Sequence, residues 1–441
     1  MAISKVIVVG SGPAGLVLSL LLAKQGINVL ILEAAQKLDE SPRASHYAPP
    51  ATYELERAGV LQEVISEGFF PDGVSWRDID GNPLVSLLQK DATRDNKVVC
   101  LPLNHLTRIL IAHLAKEDRA DLRWSHKVLP TMGQDPSAAW VMVQTPHGVE
   151  KFSADYIVGC DGAKSQIRRS LQGDEFPGRT WDEQIVATNV YYDMSPYKWQ
   201  EVNFILDREH WSLVAKIQND GLLRVIYGDI PGLTREEYIA RQPMKFKHFL
   251  PGRPDPDQYR VVSISPYRVH QRCAKRLREG RFLLVADAAH LCNPFGGLGL
   301  TGGLVDAGNL FDCLNGIHQG LATDAILTRY DVVRREKYHS MIDPISSENI
   351  RRMWKDPAVA REEDTFFAMC RKAEADPEFA KLMQQGVKAI MHDFRKEYDG
   401  ALASTVSTAP TASMAPTASA ASMAPTASTA LTAPTAPTAS N

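Results

Sequence analysis

Gly10-Ser11-Gly12-Pro13-Ala14-Gly15 follows the apolar run VIVVG and leads into LVLSLLLAKQG, a spacing suited to holding phosphates. Gly10 permits a tight turn, Gly12 lets backbone approach a pyrophosphate, and Gly15 lets helix and strand pack closely, so the helix N-terminus meets the phosphate oxygens. Glu33 ends the next strand-like run, INVLILE, 18 residues after Gly15. A carboxylate there can accept hydrogen bonds from ribose hydroxyls. This motif serves FAD and NAD alike. Two further carboxylates follow strand-like runs: Asp161 in GCDGAKSQIR and Asp287 in GRFLLVADAAH, which continues into NPFGGLGLTGG. The sequence shows no GxSxG elbow, no HExxH pair and no reactive-cysteine context, and its six cysteines have neither CxxC nor zinc spacing. No metal site is expected, and a bound cofactor is left to carry the chemistry.

The elements that must position these residues alternate along the chain. Residues 3 to 33 read as strand, turn, helix, strand; residues 100 to 170 hold a helix around LNHLTRILIAHLAKE and the strands WVMVQT and DYIVG; residues 280 to 315 give a strand, a Pro/Gly loop and a helix. Between about 181 and 265, five short alternating runs, with NDG as a hairpin signal, predict an antiparallel sheet. Residues 316 to 400 read as charged helices, including ILTRYDVVRREKYHSMI and PEFAKLMQQGVKAIMHDFRKEY, and the Ala/Ser/Thr/Pro/Met repeats after Gly400 read as disordered. The expected fold is α/β: a Rossmann-like dinucleotide-binding domain (1–180 and 271–320, with a short excursion near 70–100), an inserted antiparallel β-sheet substrate domain (181–270), C-terminal helices (321–400) and a low-complexity tail (401–441). A net charge of −3 gives no general pull toward nucleic acid. The early apolar run LVLSLLLA is far too short to span a membrane, the N-terminus does not read as a signal peptide, and a cytoplasmic setting is expected.

The three ordered motifs, spanning residues 3 to about 315, resemble the fingerprints of the group A flavoprotein monooxygenases. That resemblance implies FAD as cofactor, NADPH or NADH as electron donor, and molecular oxygen added at flavin C4a; the hydroperoxide so formed hydroxylates an electron-rich aromatic substrate, a phenol or aromatic acid. Decarboxylating hydroxylation or epoxidation of a natural-product intermediate uses the same scaffold and is the alternative. The halogenase signature WxWxIP is absent. The resemblance assigns Gly10, Gly12, Pro13, Ala14, Gly15 and Glu33 to the adenosine diphosphate part of FAD, with Arg43 and Ala44 on a phosphate and Asn104 and Arg108 on the adenylate side. It implies that Asp161 and Gly162, helped by Arg168, touch both FAD and the nicotinamide cofactor, and that Asp287 binds the ribityl or ribose hydroxyls. Pro294 is implied to line the site opposite the substrate, and Gly296, Gly297, Leu298, Gly299 and Leu300 to pass the flavin edge. Two positions depart from the family pattern: Ala286 stands where Gly is usual, and Thr301 where Asn is common. Candidates for holding a phenolate or carboxylate are Lys216, Arg224 and Tyr227 on the middle sheet, with His46 and Tyr47 reaching in from the first domain. A homodimer is allowed for.

Overall fold

The computed structural model describes residues 2–43, 45–89 and 93–399, and the predicted low-complexity tail and Ala44 lie outside them. The apolar runs around the Gly-rich turns pair as a six-stranded sheet in the order Arg278–Glu279, Phe282–Leu284, Tyr156–Gly159, Lys5–Val9, Asn28–Leu32, Ala120–Arg123. All neighbours are parallel except the short edge pair Arg278–Glu279 with Phe282–Leu284. Continuous burial of Val6, Ile7, Val8, Ile157 and Val158 is what a parallel sheet covered on both faces requires. Helices Pro13–Lys24, Leu103–Leu114 and Leu298–His318 supply apolar side chains to the same core.

A second sheet has eight strands in the order His290–Leu291, Arg260–Cys273, Gly178–Tyr191, Leu222–Asp229, Ser212–Lys216, Val202–Ile205, Gly73–Arg77, Pro83–Leu88. It is antiparallel apart from Val202–Ile205 beside Gly73–Arg77, so the 73–88 hairpin belongs to it although it lies far earlier in the chain. One face carries a core built from Val186, Val214, Val225 and Tyr227 against Phe246 and Phe249 of helix Arg235–Phe249. The opposite face turns toward the Gly-rich loops.

Past residue 320 the chain is helical: Ala325–Lys337, Asp343–Met353, Pro357–Glu363, Thr365–Ala375 and Pro377–Gly386. The long helix predicted over 377–398 instead stops at Gly386 and continues as short 3₁₀ turns, Val387–Ile390 and Phe394–Glu397. The helix predicted over 326–342 ends in a π-turn, Tyr338–Ile342. Thus the chain is a mixed α/β protein with a helical C-terminal region. Among the described residues no helix is long and apolar enough to cross a membrane.

Candidate active site

Two cavities of about 530 and 230 Å³ share Gly12, Pro13, Arg43 and Leu103 in their walls and so form one trough along the ends of the parallel strands. Gly10 adopts φ +103°, and a Cβ there would stand 2.5 Å from the Cys160 carbonyl oxygen; a Cβ at Gly15 would stand 2.4 Å from that of Gly10. Only glycine fits either place. A Cβ at Gly12 would meet nothing within 4 Å, because that backbone faces the open trough. The helices starting at Pro13 and Leu298 have no side-chain cap, and their capping residues Gly12 and Gly297 both line the cavity. Their first N–H groups and positive dipole ends therefore face space suited to an anion.

At the smaller end, Glu33 accepts hydrogen bonds from the Ser11 amide and hydroxyl, both at 2.8 Å, and from the Ala35 amide at 2.8 Å. Asn104 lines the same end, buried, with Oδ1 lacking a partner. At the larger end Asp287 is open to the cavity, although protein surrounds it closely enough that burial raises its carboxyl pKa, opposed by His290 and Arg43. A trough carrying two uncapped helix ends, a fixed carboxylate at one end and a second at the other fits an extended dinucleotide such as FAD.

The far wall comes from the large sheet. Leu213, Ala215 and Ile217 share one face, beside Arg224 and Ile226 of the neighbouring strand, with Ala215 paired to Arg224 and Leu213 to Ile226. Tyr267 completes this wall, its phenol pushed up to about 12 by burial against the opposing pull of Arg224. Arg224 is half-buried and, among the described residues, bonds only neutral acceptors: Asn189 Oδ1, at 3.0 Å from Nε and 2.9 Å from Nη2, and the Pro42 carbonyl. His46 shares a 3.0 Å hydrogen bond through Nδ1 with the Ser45 hydroxyl, while its buried Nε2 has no partner. Burial, then the Arg224 charge, hold its pKa down at about 4, so the ring is neutral near pH 7. Asn293 and Pro294 face this wall from the loop after Asp287, and Gly299 and Leu300 from the first turn of helix Leu298–His318.

The structure thus brings Gly12, Pro13, Ala14, Arg43, Gly162, Asp287, Pro294, Gly297, Gly299, Leu300, His46 and Arg224 to one cavity, with Glu33 and Asn104 at its extension. Gly10 and Gly15 shape the turn behind it, and Leu298 is buried as the first residue of its helix.

Several expected residues stand elsewhere, for identifiable reasons. Alternation along Ser212–Lys216 puts Lys216 on the opposite face from Ala215, in a separate cavity with Glu201 3.9 Å away. The same alternation packs Tyr227 against Phe246 and Phe249, its hydroxyl unpartnered. Tyr47 points away from His46 into the core. Arg108 pairs with Glu40 on an exposed helix face. Asp161 is half-buried behind Gly162; its Oδ2 accepts from the amides of Gln166 (2.6 Å) and Ile167 (3.2 Å) at the start of the helix Gln166–Gln172, whose capping residue is Ser165, and its Oδ1 has no partner among the described residues. Arg168 is buried over Phe176 and donates to the Ala288 and Ala163 carbonyls, so it ties backbone together and does not line the trough. Thr301 is buried with its hydroxyl unpartnered. Of the wall residues not found from sequence, Tyr267 is the polar one; it arrives from a strand about 40 residues after Arg224, and no local signal marks it.

The family described as FAD binding domain matches residues 4–344. The chain is 38% identical over 367 residues to para-nitrophenol 4-monooxygenase of Pseudomonas sp. (strain WBC-3), covering 82% of this chain and 90% of that protein. It is 37% identical to 6-hydroxy-3-succinoylpyridine 3-monooxygenase HspB of Pseudomonas putida (strain DSM 28022 / S16), covering 79% and 89%. Among solved structures, p-nitrophenol 4-monooxygenase PnpA from Pseudomonas putida DLL-E4 superimposes with a TM-score of 0.82 at 35% identity, covering 88% of this chain and 99% of that one.

Proposed function

This chain belongs to the group A flavoprotein monooxygenases, and on that premise we propose that it hydroxylates a phenolic ring with its ring oxygen held as an anion by Arg224. It is an FAD-dependent aromatic hydroxylase that uses NAD(P)H and molecular oxygen. FAD held in the trough would supply the redox chemistry between NAD(P)H and oxygen. In this reading residues 1–180 and 271–320 form the FAD-binding part, 181–270 with the early hairpin form the substrate-binding sheet, and 321–400 are the helical C-terminal part. Glu33 and Asn104 hold the adenosine end, Arg43 a phosphate, and Asp287 the ribityl hydroxyls.

One observation carries the substrate reading: Arg224 is a half-buried cation whose hydrogen bonds go only to neutral oxygens. Withdrawing a guanidinium from water is costly unless an anion compensates, and a cavity-facing phenolate supplies one. His46, neutral and with a free Nε2, offers the same oxygen a hydrogen bond without adding charge. A phenolate ring carries more electron density than the phenol and accepts oxygen more readily. Leu213, Ala215, Ile226 and Leu300 clasp the ring and exclude water, and Pro294 faces it from the cofactor side.

The test is turnover of a phenol and hydroxypyridine panel, including para-nitrophenol, under ¹⁸O₂. One labelled oxygen per product, with NAD(P)H oxidation accelerated by substrate, supports the reading. Products without label refute it, and loss of carbon dioxide alongside label marks the decarboxylating variant. The six unpaired cysteines support a reducing, cytoplasmic setting. Its proposed assembly is a homodimer, which sedimentation would read as twice the 48.8 kDa chain mass.

A further inference from the structure

We propose that Asp306 is a positioning residue for the cofactor: from inside helix Leu298–His318 its carboxylate fixes the left-handed turn at Ala286 that presents Asp287 to the trough. This rests on the reading that the trough holds FAD.

Ala286 has φ +58°, a left-handed conformation that is strained for an L-residue and that glycine adopts freely. Something must hold it there. The Ala286 amide donates to Asp306 Oδ2 at 3.1 Å, and the same oxygen shares a 2.7 Å hydrogen bond with His290 Nε2, four residues along the loop. Oδ1 accepts from Arg334 Nε at 2.5 Å. The Asp306 and Arg334 side chains are wholly buried, and Arg334 Nη1 continues to the Ile390 carbonyl at 2.6 Å and to Asn309 Oδ1 at 3.3 Å. The carboxylate therefore clamps both ends of the segment 286–290, and through Arg334 it is anchored to the C-terminal turns. His290 and Arg334 overcome the desolvation that would raise the Asp306 pKa and hold it at about 2, so the clamp is ionised at any working pH. A charged acceptor binds an amide about twice as strongly as a neutral one.

A second observation comes from the other side of the turn. At Gly303, one helical turn before Asp306, a Cβ would stand 2.6 Å from the Ala286 Cβ. The helix reaches the turn closely enough to deliver the Asp306 carboxylate only because position 303 has no side chain. A buried carboxylate in the otherwise apolar stretch GGLVDAGNLF is the sequence signal for this role.

The experiment uses the FAD-loaded protein and follows flavin release on dilution by the rise in its fluorescence. Asp306→Asn removes the charge while keeping the shape, and Gly303→Ala pushes on the same turn without touching the buried ions. Each should weaken FAD affinity at least tenfold. Ala286→Gly, which lets the turn form without strain and removes the clashing methyl, should return both to within threefold of wild type. Thermal stability lost with Asp306→Asn should not return with it, because the unneutralised Arg334 remains. Should Asp306→Asn fail to fold, the Gly303→Ala pair decides. Failure of Ala286→Gly to rescue Gly303→Ala, or wild-type affinity in a folded Asp306→Asn protein, overturns the proposal. A wild-type chain that binds no FAD removes the reading of the trough itself, and the positioning role falls with it.

Discussion

The two ends of the trough are built by different physics. At the cofactor end the working parts are backbone: the turns at Gly10 and Gly12 and the uncapped helix starts at Pro13 and Leu298, with Glu33 fixed to a strand end and Asp287 to the turn that follows strand Phe282–Leu284. At the substrate end they are side chains of alternate residues on neighbouring strands, Leu213, Ala215, Arg224 and Ile226, joined by Tyr267 and His46 from elsewhere. Backbone geometry tolerates little substitution, whereas a sheet face can exchange side chains without changing the fold. One scaffold can thus keep its cofactor while its substrate changes.

The sharpest way to break this contrast is Asp287→Ala, which should strip the purified protein of flavin. Two charge-assisted hydrogen bonds at about 1.5–3 kcal/mol each correspond to roughly a hundredfold or greater loss of affinity, read by absorbance of the purified protein. Next is Arg224→Met, which should weaken substrate binding by about 2–3 kcal/mol, roughly 30- to 150-fold, with FAD affinity within twofold of wild type. If flavin were lost as well, the two ends would not be separable.

His46 sharpens the contrast through pH. Its pKa is about 4 in the folded chain against an ordinary value of 6.5, so the unfolded chain takes up a proton that the folded one refuses. Stability should therefore fall as pH drops from about 6.5 toward 4, and His46→Gln should flatten that slope in denaturation curves measured across the window. The smallest effects belong to residues facing away. Lys216→Ala and Tyr227→Phe should each leave KM within twofold, and Tyr227→Phe should hold or slightly raise thermal stability because it removes a buried unpartnered hydroxyl.

The same contrast explains what could be read in the chain. GSGPAG, Glu33 and the Asp287 strand were legible because glycine spacing and strand ends are local. The antiparallel runs were legible too, and so was the separation of Ala215 from Lys216 onto opposite faces. Which face meets the cofactor was not, because period two fixes relative phase only, and Lys216 and Tyr227 lie on the face turned away from the trough. Asp161 is ambiguous for another reason: an Asp shortly before a helix can serve a ligand or the helix, and here Oδ2 accepts from the Gln166 and Ile167 amides while Oδ1 has no partner among the described residues. The long helix expected at 377–398 breaks at Gly386, where its charged pattern alone gave no stop.

The most direct measurement is a crystal structure of the purified protein with FAD and a phenolic ligand. A single FAD should touch Glu33 at its adenosine end and Asp287 near its flavin, with the ligand oxygen on Arg224 and His46. A flavin that reaches only one of those carboxylates, or a ligand oxygen on the Lys216 face of the sheet, would contradict the account.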